Sequence, residues 1–166
     1  MKAIELRLET PGDQETIYAL TGAAFRDMPF SDGDEAELVD KLRDAGDLAL
    51  SLVALDSDRI VGHIAFSPVS ITDGTCNWYG LGPVSVWPER QRQRIGSSLI
   101  EHGLAEIRAR GARGVVLLGN PAFYSRFGFE HDPRLLYPGP PPEYFQRLIF
   151  AGASPQGTVS YPPAFG

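Results

Sequence analysis

Near residue 88 the apolar residues change period, and that change limits the fold more than any other feature of the chain. Before it, Leu48–Leu55, Arg59–Phe66, Val69–Thr72 and Cys76–Trp87 read as strands joined by short turns, Asp56-Ser57-Asp58 and Asp73-Gly74 among them. After Pro88, the residues Ile95, Leu99, Ile100, Leu104 and Ile107 recur at helical spacing, and Gly111 ends the run. Val115–Leu118 is then apolar without alternation, as expected of a strand covered on both faces. A strand, a helix and a strand of this length form a crossover, so the strands it joins should lie parallel. The turn-linked strands before it should be antiparallel. A mixed α/β sheet with helices packed on it is therefore predicted, in which one parallel pair interrupts an antiparallel meander.

The flanking segments fit that frame. Residues 4–8 alternate at the period of a strand. Thr10-Pro11-Gly12-Asp13 reads as a helix start, followed by Ile17, Leu20, Ala24 and Phe25 at helical spacing. Ser31 to Glu37 is an acidic opening for a second helix that carries Leu38, Leu42 and Ala45 and stops at Gly46. Downstream, Pro121–Phe127 can form one or two helical turns, and Pro133–Pro142 reads as a loop. Tyr144–Phe150 and Thr158–Tyr161 read as a closing hairpin. The 166 residues suit one domain spanning residues 1–166. A single cysteine, Cys76, cannot form an internal disulfide, and no apolar run nears the roughly 18 residues of a membrane span. The N-terminus has no apolar core resembling a signal peptide. A cytoplasmic protein is expected. A net charge of −6 argues against a general role on nucleic acid or anionic membrane.

One local site runs against that acidic balance. Leu81 to Trp87 ends a strand, Pro88 to Arg94 is polar and basic, and a helix opens on Gly96-Ser97-Ser98. Helix N-termini expose unpaired amides and a partial positive charge, so they bind phosphate readily. Gly96 allows close approach to the backbone, and Arg92 and Arg94 add charge. Taken alone, the stretch is equally compatible with a solvated basic turn before an ordinary helix.

The wider pattern resembles the acetyl-CoA-binding motif of the GNAT superfamily of N-acetyltransferases, whose usual form is Gln/Arg-x-x-Gly-x-Gly/Ala. Gln91 and Gly96 match its outer positions, and Arg94 stands where the middle glycine is expected. Arginine can offer its amide there as well as glycine, provided that its φ is not positive. A second segment, Asn120 through Tyr124 to Gly128-Phe129, is similar to the family's segment after its next strand. Within the superfamily the chain resembles the YhbS-like group, through Asp34-Glu35-Ala36-Glu37-Leu38, Leu81-Gly82-Pro83 and Tyr161-Pro162-Pro163-Ala164-Phe165.

The resemblance implies a GNAT-like fold: a mostly antiparallel twisted sheet with one splayed parallel pair and helices on both faces. It implies acetyl transfer from acetyl-CoA to a primary amine. Gln91, Arg92, Gln93, Arg94, Ile95, Gly96, Ser97 and Ser98 would bind the cofactor, with the pyrophosphate at the amides of about Gln93 to Ser98. The pantetheine would lie along the backbone of Val84, Ser85 and Val86, with Asn120 beside it and Tyr124 protonating the leaving thiolate. Many relatives carry a glutamate base on the strand before the phosphate loop, but no carboxylate lies between Cys76 and Trp87 here. His63 is the candidate base by its near-neutral intrinsic pKa, against a structural role in a buried strand. Glu35 and Glu37 are weaker candidates, and His102 and His131 receive no role. Three scattered histidines imply no metal. The alternatives are an acyl-CoA-binding module without turnover and a nucleic-acid binder using Arg90, Arg92, Arg94, Arg108, Arg110 and Arg113. The net charge disfavours the second. Partners are then acetyl-CoA and an amine, with the protein a monomer or homodimer.

Overall fold

A computed structural model describes residues 4–28, 31 and 33–166. The elements run β1 (Glu5–Leu8), α1 (Gln14–Phe25), α2 (Glu35–Asp44), β2 (Leu50–Asp56), β3 (Arg59–Pro68), β4 (Ser70–Ile71) and β5 (Trp78–Val86). They continue with α3 (Ile95–Ala109), β6 (Gly114–Leu118), α4 (Pro121–Tyr124), β7 (Glu130–His131), β8 (Leu135–Leu136), β9 (Phe145–Ile149) and β10 (Gly157–Ser160). Seven strands form the main sheet in the order β1-β2-β3-β5-β6-β9-β7, and β4-β10-β8 form a small second sheet. The β5–β6 pair is parallel, as the crossover through α3 requires. The β2–β3 hairpin turns at Ser57-Asp58, with Asp56 paired to Arg59.

All five apolar residues read for the long helix are buried in α3. They pack on Leu50, Leu52, Ile64 and Phe66, one face of the central strands. A side chain at Gly62 would press on Ile95 and Leu99, and one at Gly103 would meet the Phe66 ring, so these glycines let α3 lie close to the sheet. The opposite face is covered by α1 and α2 through Ile17, Leu20 and Val39 on Val53, Leu55 and Ile60. The Asp13 carboxylate bonds the Thr10 amide and hydroxyl at 2.7 and 3.0 Å, closing the turn that opens α1. An ion pair with Arg7 holds that carboxyl at a pKa of about 2, below its ordinary range.

Three expectations need correction. In α2 the buried residues are Ala36, Val39 and Leu42, while Leu38 is half-buried and Ala45 is exposed. The helix starts at Glu35, which turns that set inward. Gly46, at φ +77°, does end it. Second, β4 leaves the meander and pairs with β10. Third, β9 and β10 form no hairpin. Both edges of β9 are taken, by β6 and β7, so β10 joins β4 and β8 instead.

Candidate active site

Strands β5 and β6 pair only where Trp78–Gly80 meets Gly114–Val116. Farther along, β5 follows β3 as far as Val86, and β6 follows β9 as far as Leu118, so a gap opens between them. A register irregularity between Ile64 and Phe66 bends β5 at this point, and Pro83 has no N–H to offer a neighbouring strand. The Trp87 amide donates to the Val61 carbonyl at 3.2 Å. By antiparallel alternation, the N–H and C=O groups of Val84 and Val86 then point away from β3, into the gap. The Val86 carbonyl accepts from the Gln91 side-chain amide at 3.2 Å. Gln91 thus ties the following loop to the end of the strand. Trp87 ends the strand as a packing residue, its indole N–H donating to the Ile60 carbonyl at 3.0 Å.

The loop from Gln91 to Arg94 feeds the N-terminus of α3 at the mouth of this gap. Among the described residues, none accepts a hydrogen bond from the amides of residues 92 to 97. Arg92 and Arg94 have φ of +65° and +66°, with Gln93 between them outside the positive region. Alternating signs of φ turn successive amides toward one concave side, as in anion-binding nests. Arg94 therefore does adopt the left-handed backbone that glycine would favour, contrary to the condition set by the sequence. The amide stays available at a conformational cost of about 1–2 kcal/mol. Both side chains are exposed and unpaired among the described residues. Arg90 differs: it is held by Asp56 at 2.9 Å and by Gln93. A methyl added at Gly96 would meet only Val86, at 3.9 Å, so the space above this amide is open.

On the β6 side, Asn120 caps α4, its side-chain oxygen accepting from the Ala122 amide at 2.9 Å. Its NH2 remains for another partner. The Tyr124 ring lies against Gly119, where any side chain would collide with it, and packs edge-on to Phe123 and Phe129. Its hydroxyl has no hydrogen-bond partner among the described residues, and burial raises its pKa above the usual phenolic value. An apolar cavity of about 380 Å³ lined by Leu135, Tyr137 and Phe145 lies by β9, on the far edge of β6 from the gap.

His63 lies on β3 directly opposite Ser85 and is fully buried. Burial lowers its pKa to about 4. Its Nε2 is 2.8 Å from Ser51 Oγ, which is 2.7 Å from Glu9 Oε1, and Arg43 grips Glu9 through two 2.8 Å bonds. The sequence reading missed Glu9, Arg43 and Ser51. The available signal was that Ser51 and His63 are polar residues inside otherwise apolar strand runs. Glu35 accepts from Ser31 Oγ at 2.5 Å near the start of α2, and Glu37 is exposed there. His102 and His131 are exposed. Among the described residues, no group of three or more His, Cys, Asp or Glu side chains could hold a metal, and no helix is long and apolar enough to cross a membrane.

A family profile described as an acetyltransferase (GNAT) domain matches residues 5–131. The uncharacterized N-acetyltransferase YhbS of Escherichia coli K12 is 40% identical over 139 residues, covering 81% of this chain and 80% of its own. A crystal structure of a GNAT family acetyltransferase from Brucella melitensis, in complex with acetyl-CoA, is 47% identical, with TM-score 0.89 and full coverage of both chains. That of E. coli YhbS in complex with CoA has TM-score 0.87 at 35% identity, covering 99% of this chain and 93% of its own. With its splayed parallel pair, its phosphate-ready loop and these matches, the chain belongs to the GNAT family of acetyltransferases.

Proposed function

We propose that this protein transfers an acetyl group from acetyl-CoA to a primary amine, with the thioester lying in the gap between β5 and β6. One observation carries the reading: a row of unpartnered amides, residues 92 to 97, at the end of a helix that opens beside that gap. The fit is good on this chain's own residues. The amides and the arginines Arg92 and Arg94 suit a pyrophosphate, and the space above Gly96 admits it. The free backbone groups of Val84 and Val86 suit an amide-containing arm, with the Asn120 NH2 on the other wall. When bound, acetyl-CoA supplies an activated acyl group on a good leaving thiol. The Val86 amide is placed to polarise the thioester carbonyl.

Tyr124 is the general acid on this reading. Burial keeps its phenol protonated at neutral pH, and its unpartnered hydroxyl can donate to the departing thiolate. Tyr124→Phe removes that oxygen while keeping the ring on Gly119 and Phe129. The variant should hold its fold and its CoA affinity in calorimetry and lose ~10- to 1000-fold in turnover. Turnover at the wild-type rate would return Tyr124 to a packing role. The unpartnered hydroxyl also argues against a binding module without turnover, because ligand retention alone needs no proton donor. The protein then works in a cytoplasmic, reducing setting as a monomer or homodimer, with Cys76 exposed and unpaired. The acidic stretch from Asp27 to Glu37, part of which lies outside the described residues, suits a cationic acceptor.

A further inference from the structure

Buried polar atoms without partners are uncommon, because each gives up water and gains nothing in return. Among the described residues such atoms are Thr21 Oγ1, His63 Nδ1, Ser67 Oγ and Ser85 Oγ. His63 and Ser67 share the face of β3 that α1 covers, and Ser85 is the register partner of His63 on the gap strand. The interior thus keeps an unused imidazole nitrogen and an unused hydroxyl side by side, next to the backbone that faces the gap. Opposed residues in such a pair have Cβ atoms about 4.5–5.5 Å apart, so a rotation of the serine side chain or one water joins the two atoms.

The hydrogen bonds fix which nitrogen is unused. Burial alone would raise the pKa of Glu9, but its bonds to Arg43 and Ser51 together lower it, so it is a carboxylate and can only accept. Ser51 has one proton, and the 2.7 Å contact with Glu9 uses it. Ser51 Oγ must therefore accept from His63, which makes Nε2 the protonated nitrogen and leaves Nδ1 as a bare lone pair. Arg43 holds Glu9 in place from α2.

We propose that Glu9 and Ser51 are positioning residues that hold His63 with its Nδ1 lone pair open toward Ser85, so that His63 takes the proton released by the acceptor amine. The proposal rests on the reading of the gap as the acetyl-transfer site. As the amine nitrogen bonds the carbonyl carbon and the C–S bond breaks, an N–H bond of the amine breaks. Its proton passes to Ser85 Oγ or an intervening water, which gives its own proton to Nδ1. Tyr124 gives a proton to the thiolate. The relay then resets: the imidazolium returns its proton through Ser85 Oγ to the gap, and the phenolate regains one from solvent there. The charged groups that act on the imidazole are Glu9, which favours the imidazolium through Ser51, and Arg43, which disfavours it. The neighbours Ser51 and Ser85 carry no charge.

Two readouts test this on the full chain, with acetyl-CoA and an amine that the wild-type protein accepts. His63→Gln keeps an N–H for Ser51 but offers no lone pair at the Nδ1 position. It should lower kcat by ~100-fold or more, the general-base scale, with the KM for acetyl-CoA unchanged. Ser51→Ala should lower kcat by ~10-fold at the same KM, and Ser51→Thr should recover it. In ¹⁵N NMR at pH 7, His63 of the wild-type protein should show a protonated Nε2 and a bare Nδ1, and Ser51→Ala should show both tautomers. Wild-type kcat in His63→Gln, or a bare Nε2 in the wild-type spectrum, overturns the proposal, and the spectrum decides even where a variant fails to fold. A wild-type protein that binds no acetyl-CoA, or releases no thiol with any amine, overturns the acetyltransferase reading and the proposal with it. Turnover that falls in His63→Gln but ignores Ser51→Ala overturns the positioning alone.

Discussion

The two faces of the main sheet are built differently. Against α3, Ile64, Phe66, Val115 and Leu117 meet Leu99, Ile100, Leu104 and Ile107 in one continuous apolar layer. The other face is apolar in two separate patches, one under α1 and α2 and one around Trp78, Val116 and Phe145. Between them lie Ser51, His63, Ser67 and Ser85, all buried, three with an unpartnered atom. The continuous face contributes stability and aims the N-terminus of α3 at the gap. The divided face gives up some of that stability by holding buried, partly unpartnered polar groups beside the same gap. Local departures from good packing are expected where chemistry is done, and the proposed relay lies among the buried ones on this face.

That asymmetry can be broken from either side. The largest effect is expected on the polar face as pH falls. His63 has a folded-state pKa of about 4 against an ordinary 6.5, so the unfolded chain takes up a proton first. Its contribution is fully present above pH 6.5 and is lost between there and pH 4. From the size of that shift the loss should reach about 3 kcal/mol. Urea unfolding of the wild-type protein and His63→Gln across this window should show the steeper fall only in the wild type. Equal slopes would mean that His63 is not sealed from water.

On the apolar face the expected effect is somewhat smaller. A Cβ at Gly103 would lie 2.6 Å from the Phe66 ring, which is fully buried and cannot swing out. Gly103→Val should cost about 1–3 kcal/mol by overpacking, read as a lower urea midpoint with the m-value unchanged. An unchanged midpoint would show that α3 can shift off the sheet. Smallest is Arg94→Gly, which removes an exposed charge near the proposed phosphate site and relieves a left-handed residue. It should weaken CoA binding by no more than ~1 kcal/mol in calorimetry while leaving or raising stability. A loss beyond tenfold would show that the Arg94 side chain clamps a phosphate.

The apolar face was legible in the sequence, because a period of 3.6 residues in α3 and alternation in the strands state which side chains turn inward. The parallel pair followed from the crossover. The second sheet was not legible, since β4 and β8 have two residues each, too few to show a period. The main-chain part of the site was legible only by resemblance. In the proposed function Val84, Val86 and the loop amides act through backbone that any side chain would accompany. The left-handed φ at Arg94 ran against its residue type. Glu9, Ser51 and His63 are 42 and 12 residues apart along their two links, so no local spacing could join them; strand pairing does.

The central claim is that acetyl-CoA sits on the amides at the start of α3 and is consumed from there. Gly96→Asp tests it most directly, because the added carboxylate has room in the folded protein and suits a helix N-terminus, yet it occupies the phosphate position. Thiol release from acetyl-CoA should be followed with a panel of amines, for the wild-type protein and this variant together. The account predicts amine-dependent thiol release by the wild-type protein, and no release and no calorimetric binding of CoA by the folded variant. A folded Gly96→Asp that binds and turns over like the wild type would contradict it.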